Sequence, residues 1–288
     1  MVLVAILMGS HHVAARVALD SGANVFAILI VRSIPTAFIV GLLLVAYRTT
    51  WRFTIRQCFI MLLIGFLVWL QSALVYTSTA KIPVALALLA FNTYPLWTAL
   101  IAWLFYKRRP PRSIFFMMPV ILFGLALTVN APSLISGQER PHHWNVLGIG
   151  MLQSLLAGAI FGVVLSMTQF EVALIDGRIR TLLIMIVVAV LSVCIAQAQS
   201  GFSWPSQAIG WGALVLMVTL FGIGFTTLFT VLPKMGVVGN SPIMNIEPVA
   251  TFAIAWLVLD QRMEPLQIAG GLIVTVTVLV YGYASIPR

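Results

Sequence analysis

Glu247 interrupts an apolar run, and it is the one acidic residue deep in such a run. A carboxyl group in that place could act as counter-ion to an arginine or histidine, as a proton carrier, or as partner to a substrate ammonium group. It lies between Asn245 and Pro248, and the same order of asparagine and proline recurs at Asn92 and Pro95. A proline inside a helix lacks an N–H and pushes away the carbonyl four residues earlier. Those carbonyls belong to Phe91 and Met244. In lipid, freed carbonyls are tolerated only where they line a cavity or find a partner. Ser10, His11 and Tyr94 add hydrogen-bonding groups, while Phe91, Tyr94, Trp97 and Phe161 offer apolar faces. This is the chemistry of holding a small molecule and letting it go.

It is not the chemistry of an enzyme. The sequence has no G-x-S-x-G with partners, no phosphate loop and no H-E-x-x-H. Ser10 and His11 are neighbours, and neighbours on a helix do not supply base geometry. His11 and His12 point about 100° apart on a helix, so no metal site is expected, and no cofactor is implied. Cys58 and Cys194 have neither the number nor the spacing of a disulfide framework or a zinc site.

The chain that positions these groups has 288 residues, 61% hydrophobic and 8% charged. Its mean hydropathy is +1.08. A soluble domain carries about 25% charged residues, so a soluble enzyme, a coiled coil and a disordered chain are all excluded. Apolar runs recur from end to end at the length a membrane helix needs. The patterning predicts ten helices: Val2–Leu19, Asn24–Tyr47, Gln57–Thr77, Pro83–Phe105, Ile114–Val129, Val146–Phe170, Thr181–Ala198, Ala208–Leu232, Val237–Leu259 and Leu266–Ile286. Ten such helices take roughly 200 residues, which leaves no extramembrane catalytic domain. Asn130–Asn145, with Pro132, Gly137 and Pro141, reads as a hinge between halves. No cleavable signal is expected, because no basic region precedes the first apolar run.

The net charge of +9 is spread between apolar runs, not gathered in one stripe, so it reads as basic cytoplasmic loops and not as a nucleic-acid surface. With a cytoplasmic N-terminus, the inside loops hold eleven basic residues: Arg48, Arg52, Arg56, Lys107, Arg108, Arg109, Arg112, Arg178, Arg180, Lys234 and Arg288. The outside loops hold three, Lys81, Arg140 and Arg262. Both termini are then cytoplasmic.

The chain also repeats itself. Residues 91–104 (FNTYPLWTALIAWL) and 244–257 (MNIEPVATFAIAWL) agree at seven of fourteen positions, at a constant offset of 153. The identical pairs include Asn92/Asn245, Pro95/Pro248, Thr98/Thr251 and Trp103/Trp256, and Lys81/Lys234 share the offset. Each half, residues 1–138 and 139–288, therefore holds five helices. Five is odd, so the second copy enters the bilayer upside down relative to the first. Inverted repeats with a site at their interface are a common plan of secondary transporters.

Residues eight to ten positions into a span lie near the midplane of a core about 30 Å thick. There helix 1 brings Ser10, His11 and His12, helix 4 brings Phe91, Asn92 and Tyr94, and helix 9 brings Asn245 and Glu247. Both proline-bearing helices are expected to kink and to form opposing walls of one cavity. His12 shares a face with Arg16, so His11 is the better cavity candidate. Arg16 can snorkel, and Arg32 reads as a structural partner before a carboxylate binder. Trp51, Trp144, Trp204 and Trp211 lie near helix ends as interfacial anchors. Gly158 and Gly162 form a G-x-x-x-G expected to serve packing inside the bundle.

These segments resemble the EamA-like branch of the drug/metabolite transporter superfamily. Met8–Arg16 (MGSHHVAAR) resembles the family's W-G-s-n-f-v-a, IVRSI around Arg32 resembles L-R-f, and Leu88–Pro95 and Pro242–Pro248 resemble A-l-x-x-P. In order and length the chain most resembles the bacterial YddG-type exporters of aromatic amino acids. The halves depart where the family pattern ends in L-G-E-R. Phe105–Arg108 reads FYKR and Leu259–Arg262 reads LDQR, with Lys107 and Gln261 set against the two glutamates. The resemblance implies ten helices, alternating access and a small metabolite as substrate.

The combined reading is an inner-membrane exporter of aromatic or other apolar amino acids. Its site is drawn from Ser10, His11, Phe91, Asn92, Tyr94, Trp97, Phe161, Asn245 and Glu247, with Pro95 and Pro248 as hinges and protons as possible co-substrates. The rivals are a transporter of nucleotide sugars or cationic drugs, and a non-transporting scaffold or receptor. A reporter fused to the C-terminus checks the orientation. A fluorescent protein is expected to light up there and alkaline phosphatase to stay inactive; active phosphatase would reverse the assignment.

Overall fold

Runs this apolar can satisfy their backbone groups in lipid only as helices or as closed barrels, and their length suits helices. The computed structural model describes residues 2–51, 53–108, 113–128, 141–199, 201–235, 247–260 and 264–284. Among them lie eleven helices: α1 (Val2–Asp20), α2 (Val25–Ala46), α3 (Ile55–Lys81), α4 (Val84–Phe91), α5 (Tyr94–Tyr106), α6 (Ser113–Thr128), α7 (Pro141–Phe170), α8 (Gly177–Ala198), α9 (Ala208–Met235), α10 (Glu247–Leu259) and α11 (Pro265–Ala284). No strand occurs among the described residues. Five segments, Val25–Ala46, Ile55–Lys81, Val84–Tyr106, Asn145–Phe170 and Gly177–Ala198, are long and apolar enough to cross a bilayer, and shorter apolar helices accompany them. The chain is a multi-pass membrane protein.

Helix ends follow local chemistry. The Asn24 side chain accepts the Ala27 N–H and starts α2. Thr54 and Gln57 form a capping box, so α3 begins two residues before the predicted Gln57 and runs on to Lys81. The helix α7 begins at Pro141 and takes in the last part of the expected hinge; residues 130–140 of that hinge lie outside the described residues. The predicted span Pro83–Phe105 is not continuous but breaks at Asn92–Thr93 into α4 and α5. Of the predicted Val237–Leu259, the structure describes Glu247–Leu259 as α10, and Asn245 lies outside the described residues.

The helices pair across the sequence, not along it. The long contacts are α1 with α9, α3 with α7, α2 with α8 and α6 with α11, while α5 rests on α7 and α10 on α1. Alanines let α1 approach closely: Ala14, Ala15 and Ala18 share a core with Ile28, Leu29, Trp69, Tyr76, Leu214 and Met217. A second core joins Leu86 and Leu89 to Ile121, Met151 and Val274. Large apolar side chains such as Phe38, Phe59, Phe116 and Val215 point outward, as a lipid-facing surface requires.

Left-handed residues end several helices. Arg48 follows α2 and Gly201 follows α8; Lys107 follows α5 and Asp260 follows α10. Both pairs stand 153 positions apart. A left-handed helix end is the usual place of glycine; Lys107 and Asp260 take that conformation here.

Where α1 turns into α2, the chain is tied to the segment joining α8 and α9. The Asn24 N–H donates to Ser203 O at 3.0 Å and its Nδ2 to Gly201 O at 2.9 Å. Ser203 Oγ donates to Gly22 O at 2.6 Å. Asn24 thus serves as cap and as cross-link. Asn24→Ala is expected to lower stability by about 1–2 kcal/mol, and Asn24→Asp, which keeps the cap and loses the tie to Gly201, by less. Thermal midpoints in detergent check the order; equal midpoints for all three proteins would contradict it.

Candidate functional site

The break in the fourth span is built from its own residues. The Asn92 N–H and its Nδ2 both donate to Leu88 O, each at 2.8 Å. Thr93 Oγ1 donates to Ala90 O at 2.8 Å. Two carbonyls at the end of α4 are thereby satisfied. Pro95 then falls in the first turn of α5, where a missing N–H costs nothing. It starts a helix here; it does not bend a continuous one. For the same reason no N–H reaches back to Phe91 O. That oxygen meets Gly158 of α7, where a methyl group would stand 2.7 Å from it. One turn on, a methyl group at Gly162 would meet Trp97 Cβ at 2.7 Å and Thr98 N at 2.8 Å. The G-x-x-x-G is the seat of the broken segment.

Seating α5 on α7 gathers three rings. Phe91 and Phe161 have centroids 5.4 Å apart, Tyr94 meets Phe161 edge-on at 5.1 Å, and Phe91 and Tyr94 are 5.8 Å apart. Trp97 takes part through its Cβ against Gly162.

The helix α10 is approached in the same way from α1. A methyl group at Gly9 would stand 2.6 Å from Thr251 Oγ1 and 3.2 Å from Glu247 O. Thr251 Oγ1 donates to Glu247 O at 2.9 Å, as Thr98 Oγ1 donates to Tyr94 O at 2.9 Å. Gly9 and Gly162 are again 153 positions apart. Glu247 opens α10 and Pro248 is its second residue. The Glu247 carboxylate lies 3.6 Å from His12 Nε2. The carboxylate thus faces α1, on a helix that also touches α4, which carries Phe91.

The two histidines have different surroundings. His12 faces Glu247 and lies 6.0 Å from the Tyr76 ring. His11 is 3% exposed, packed between His12 and Phe221, and neither ring nitrogen has a hydrogen-bond partner. His12 shares a face with Gly9, one turn before it, and Gly9 is the residue that presses on α10; that spacing is the signal that points to His12. Ser10 Oγ donates to Ile6 O at 2.7 Å, within its own helix. Arg16 is partly buried: it pairs with the exposed Asp20 at 2.9 Å and donates to the carbonyls of Thr79 and Ile82.

Sequence reasoning singled out Arg32 but not the residues around it. Arg32 is 6% exposed. Its Nη1 donates to Tyr76 OH at 3.2 Å and its Nη2 to Ser72 Oγ at 2.9 Å. Its guanidinium lies 5.6 Å from the Tyr76 ring centroid and 5.2 Å from that of Phe221. Gln71 Nε2 also donates to Ser72 Oγ, at 2.8 Å. The visible signal was the i, i+4 spacing of Ser72 and Tyr76 in an apolar helix. Through Tyr76 and Phe221 this set adjoins His11 and His12.

The glycine seats yield a graded expectation. Gly9→Ala and Gly162→Ala each force a shift against the backbone of α10 or α5 and are expected to cost about 1–3 kcal/mol. Gly148→Ala, on the same helix as Gly162 but with nothing within 4 Å, is expected to leave the midpoint unchanged or raise it. Thermal unfolding in detergent tests this; equal midpoints for all three variants would contradict it.

The model of the EamA-like transporter family matches residues 1–130 and 148–283. The Synechocystis sp. protein named "Uncharacterized transporter sll1319" is 27% identical over 233 residues, or 77% of this chain. The chain spans 66% of that relative's length. A solved crystal structure of another protein superposes with a TM-score of 0.61 over 97% of this chain and 92% of that one, at 16% identity; this is a likeness of fold. With the family model covering nearly the whole sequence, the chain belongs to the EamA-like transporter family.

Proposed function

We propose that this protein exports apolar, chiefly aromatic, amino acids across a bacterial inner membrane by alternating access. The observation that carries the reading is the Phe91–Tyr94–Phe161 ring group, with the Glu247 carboxylate opening the helix that packs on α4. Rings suit an apolar side chain, and a carboxylate in a water-poor site suits an ammonium group. His11, Ser10, Asn92 and Asn245 complete the proposed polar lining, and Trp97 the apolar one.

The proposed framework is ten membrane helices in two inverted copies, 1–138 and 139–288, with both termini cytoplasmic. Three features support it. The family model meets the chain in two segments of similar length. Glycine seats and left-handed helix ends recur at the offset of 153. The helix pairing is unchanged when the halves are exchanged: α1 with α9 answers α7 with α3, and α2 with α8 and α6 with α11 answer themselves.

Interleaved halves cannot rock as two sequence halves without breaking every long pairing. The moving bodies are instead mixed, with α1, α9 and α10 facing α3, α4, α5 and α7. The substrate sits between them, where α10 touches α4. Pro95 keeps the Asn92–Thr93 break from healing into one stiff helix, and Pro248 has the same place on α10.

An organic cation would also satisfy a carboxylate and rings, so the test needs a panel. Purified protein in liposomes is given labelled phenylalanine, methionine, a nucleotide sugar and a cationic dye. Saturable flux of phenylalanine and methionine is expected; flux of the dye or the nucleotide sugar alone, or no flux, would overturn the proposal. Glu247→Gln is expected to raise the KM for phenylalanine by about tenfold or more and to flatten the pH dependence of transport. An unchanged profile would remove Glu247 as ammonium partner and proton carrier.

A further inference from the structure

The Arg32 guanidinium has no acidic partner: no carboxylate among the described residues lies within 4 Å of it. A cation held away from water in a membrane protein is costly and nearly always paired. Two of its donors are met by hydroxyls, Ser72 and Tyr76, and its faces by the rings of Tyr76 and Phe221. Its Nε is left without a partner. The same holds for both nitrogens of His11, which packs on the same Phe221 ring, and for Trp69 Nε1, one turn before Ser72 on α3. Arg32, His11 and Trp69 are each more than nine-tenths buried. Buried polar atoms without partners are rare in native proteins, and each one wants an explanation; Arg32 Nε, Trp69 Nε1 and one nitrogen of a neutral His11 are donors.

We infer that Arg32, with His11 and Ser72, is the receptor for a carboxylate group of the transported molecule. The guanidinium fork matches two carboxylate oxygens in one plane, and a substrate carboxylate supplies the acceptors that this donor-rich corner lacks. The neighbouring charges favour a carboxylate on a zwitterion over a free inorganic anion. Arg32 and His11 share the Phe221 ring, His11 packs on His12, and His12 lies 3.6 Å from the Glu247 carboxylate. The region therefore holds one fixed cation and one carboxylate, and a molecule carrying both signs leaves it balanced. Arg32 would take the carboxylate end and Glu247 the ammonium end, while the rings of Phe91, Tyr94 and Phe161 take the side chain. In the structure α1 and α9 close over Arg32, so the carboxylate reaches it when the two bodies part. The assignment rests on the amino-acid reading for its zwitterion, but not for its carboxylate.

The test compares three probes that differ in charge alone: phenylalanine, its amide (no carboxylate) and 3-phenylpropionate (no ammonium). Binding to the purified full-length protein is followed by thermal shift and by competition in liposomes. Wild-type protein is expected to bind phenylalanine about tenfold or more tightly than the amide. Arg32→Gln is expected to erase that preference by weakening phenylalanine and not the amide, and Arg32→Lys to restore part of it. A purely structural arginine would weaken both probes alike, and that outcome overturns the inference. So does a wild-type protein that binds the amide as well as phenylalanine, or neither phenylalanine nor 3-phenylpropionate. If Arg32→Gln fails to fold, the wild-type preference decides alone. Arg32-dependent binding of 3-phenylpropionate without that of phenylalanine would refute the amino-acid reading and leave the carboxylate receptor standing.

Discussion

A carbonyl without a donor is the constraint around which the site is built. Pro95 cannot donate to Phe91 O, and lipid offers no water to replace the lost bond. The fourth span therefore breaks, and Asn92 and Thr93 turn their own side chains back to cap α4. The freed oxygen needs a close neighbour without a side chain, and Gly158 is that neighbour. Once α7 is seated there, Phe161 falls against Phe91 and Tyr94. Gly9 repeats the device on α1 and brings His12 to Glu247.

The interleaving of the halves follows from the same economy of contact. In lipid, helices associate through close packing and interhelical hydrogen bonds, not through hydrophobic expulsion. The tightest seams are those lined with alanine, glycine and serine, and they join α1 to α9 and α3 to α7 across the sequence. In the proposed mechanism, motion occurs where packing is sparse, between α10 with α1 on one side and α4 with α3 on the other. The polar side chains lie along that boundary, so opening it exposes them together.

Much of this was legible in the residues. Hydropathy marked every helix described, because apolar length admits few alternatives, and the offset of 153 picked out the two segments that carry the site. The break at Asn92–Thr93 was read as a kink, since a proline four residues on looks the same in both cases until the side chains of Asn92 and Thr93 choose their acceptors. Which of His11 and His12 faces α10 is not legible, because a sequence fixes the angle between neighbours but not the rotation of the helix as a whole. The partners of Arg32 lie 40 and 44 positions away on α3, and no local pattern reveals a contact across such a distance. Asn245, the counterpart of Asn92 in the repeat, lies outside the described residues.

The account stands or falls on where a substrate ring lies. A crystal structure of the protein with 4-bromophenylalanine, recorded at the bromine edge, locates that ring without reference to side-chain density. The account places the anomalous peak beside Phe91, Tyr94 and Phe161, within about 4.5–7 Å of their centroids as aromatic packing allows. A peak on the lipid-facing surface, or in the protein but away from these rings and from Glu247, would contradict it.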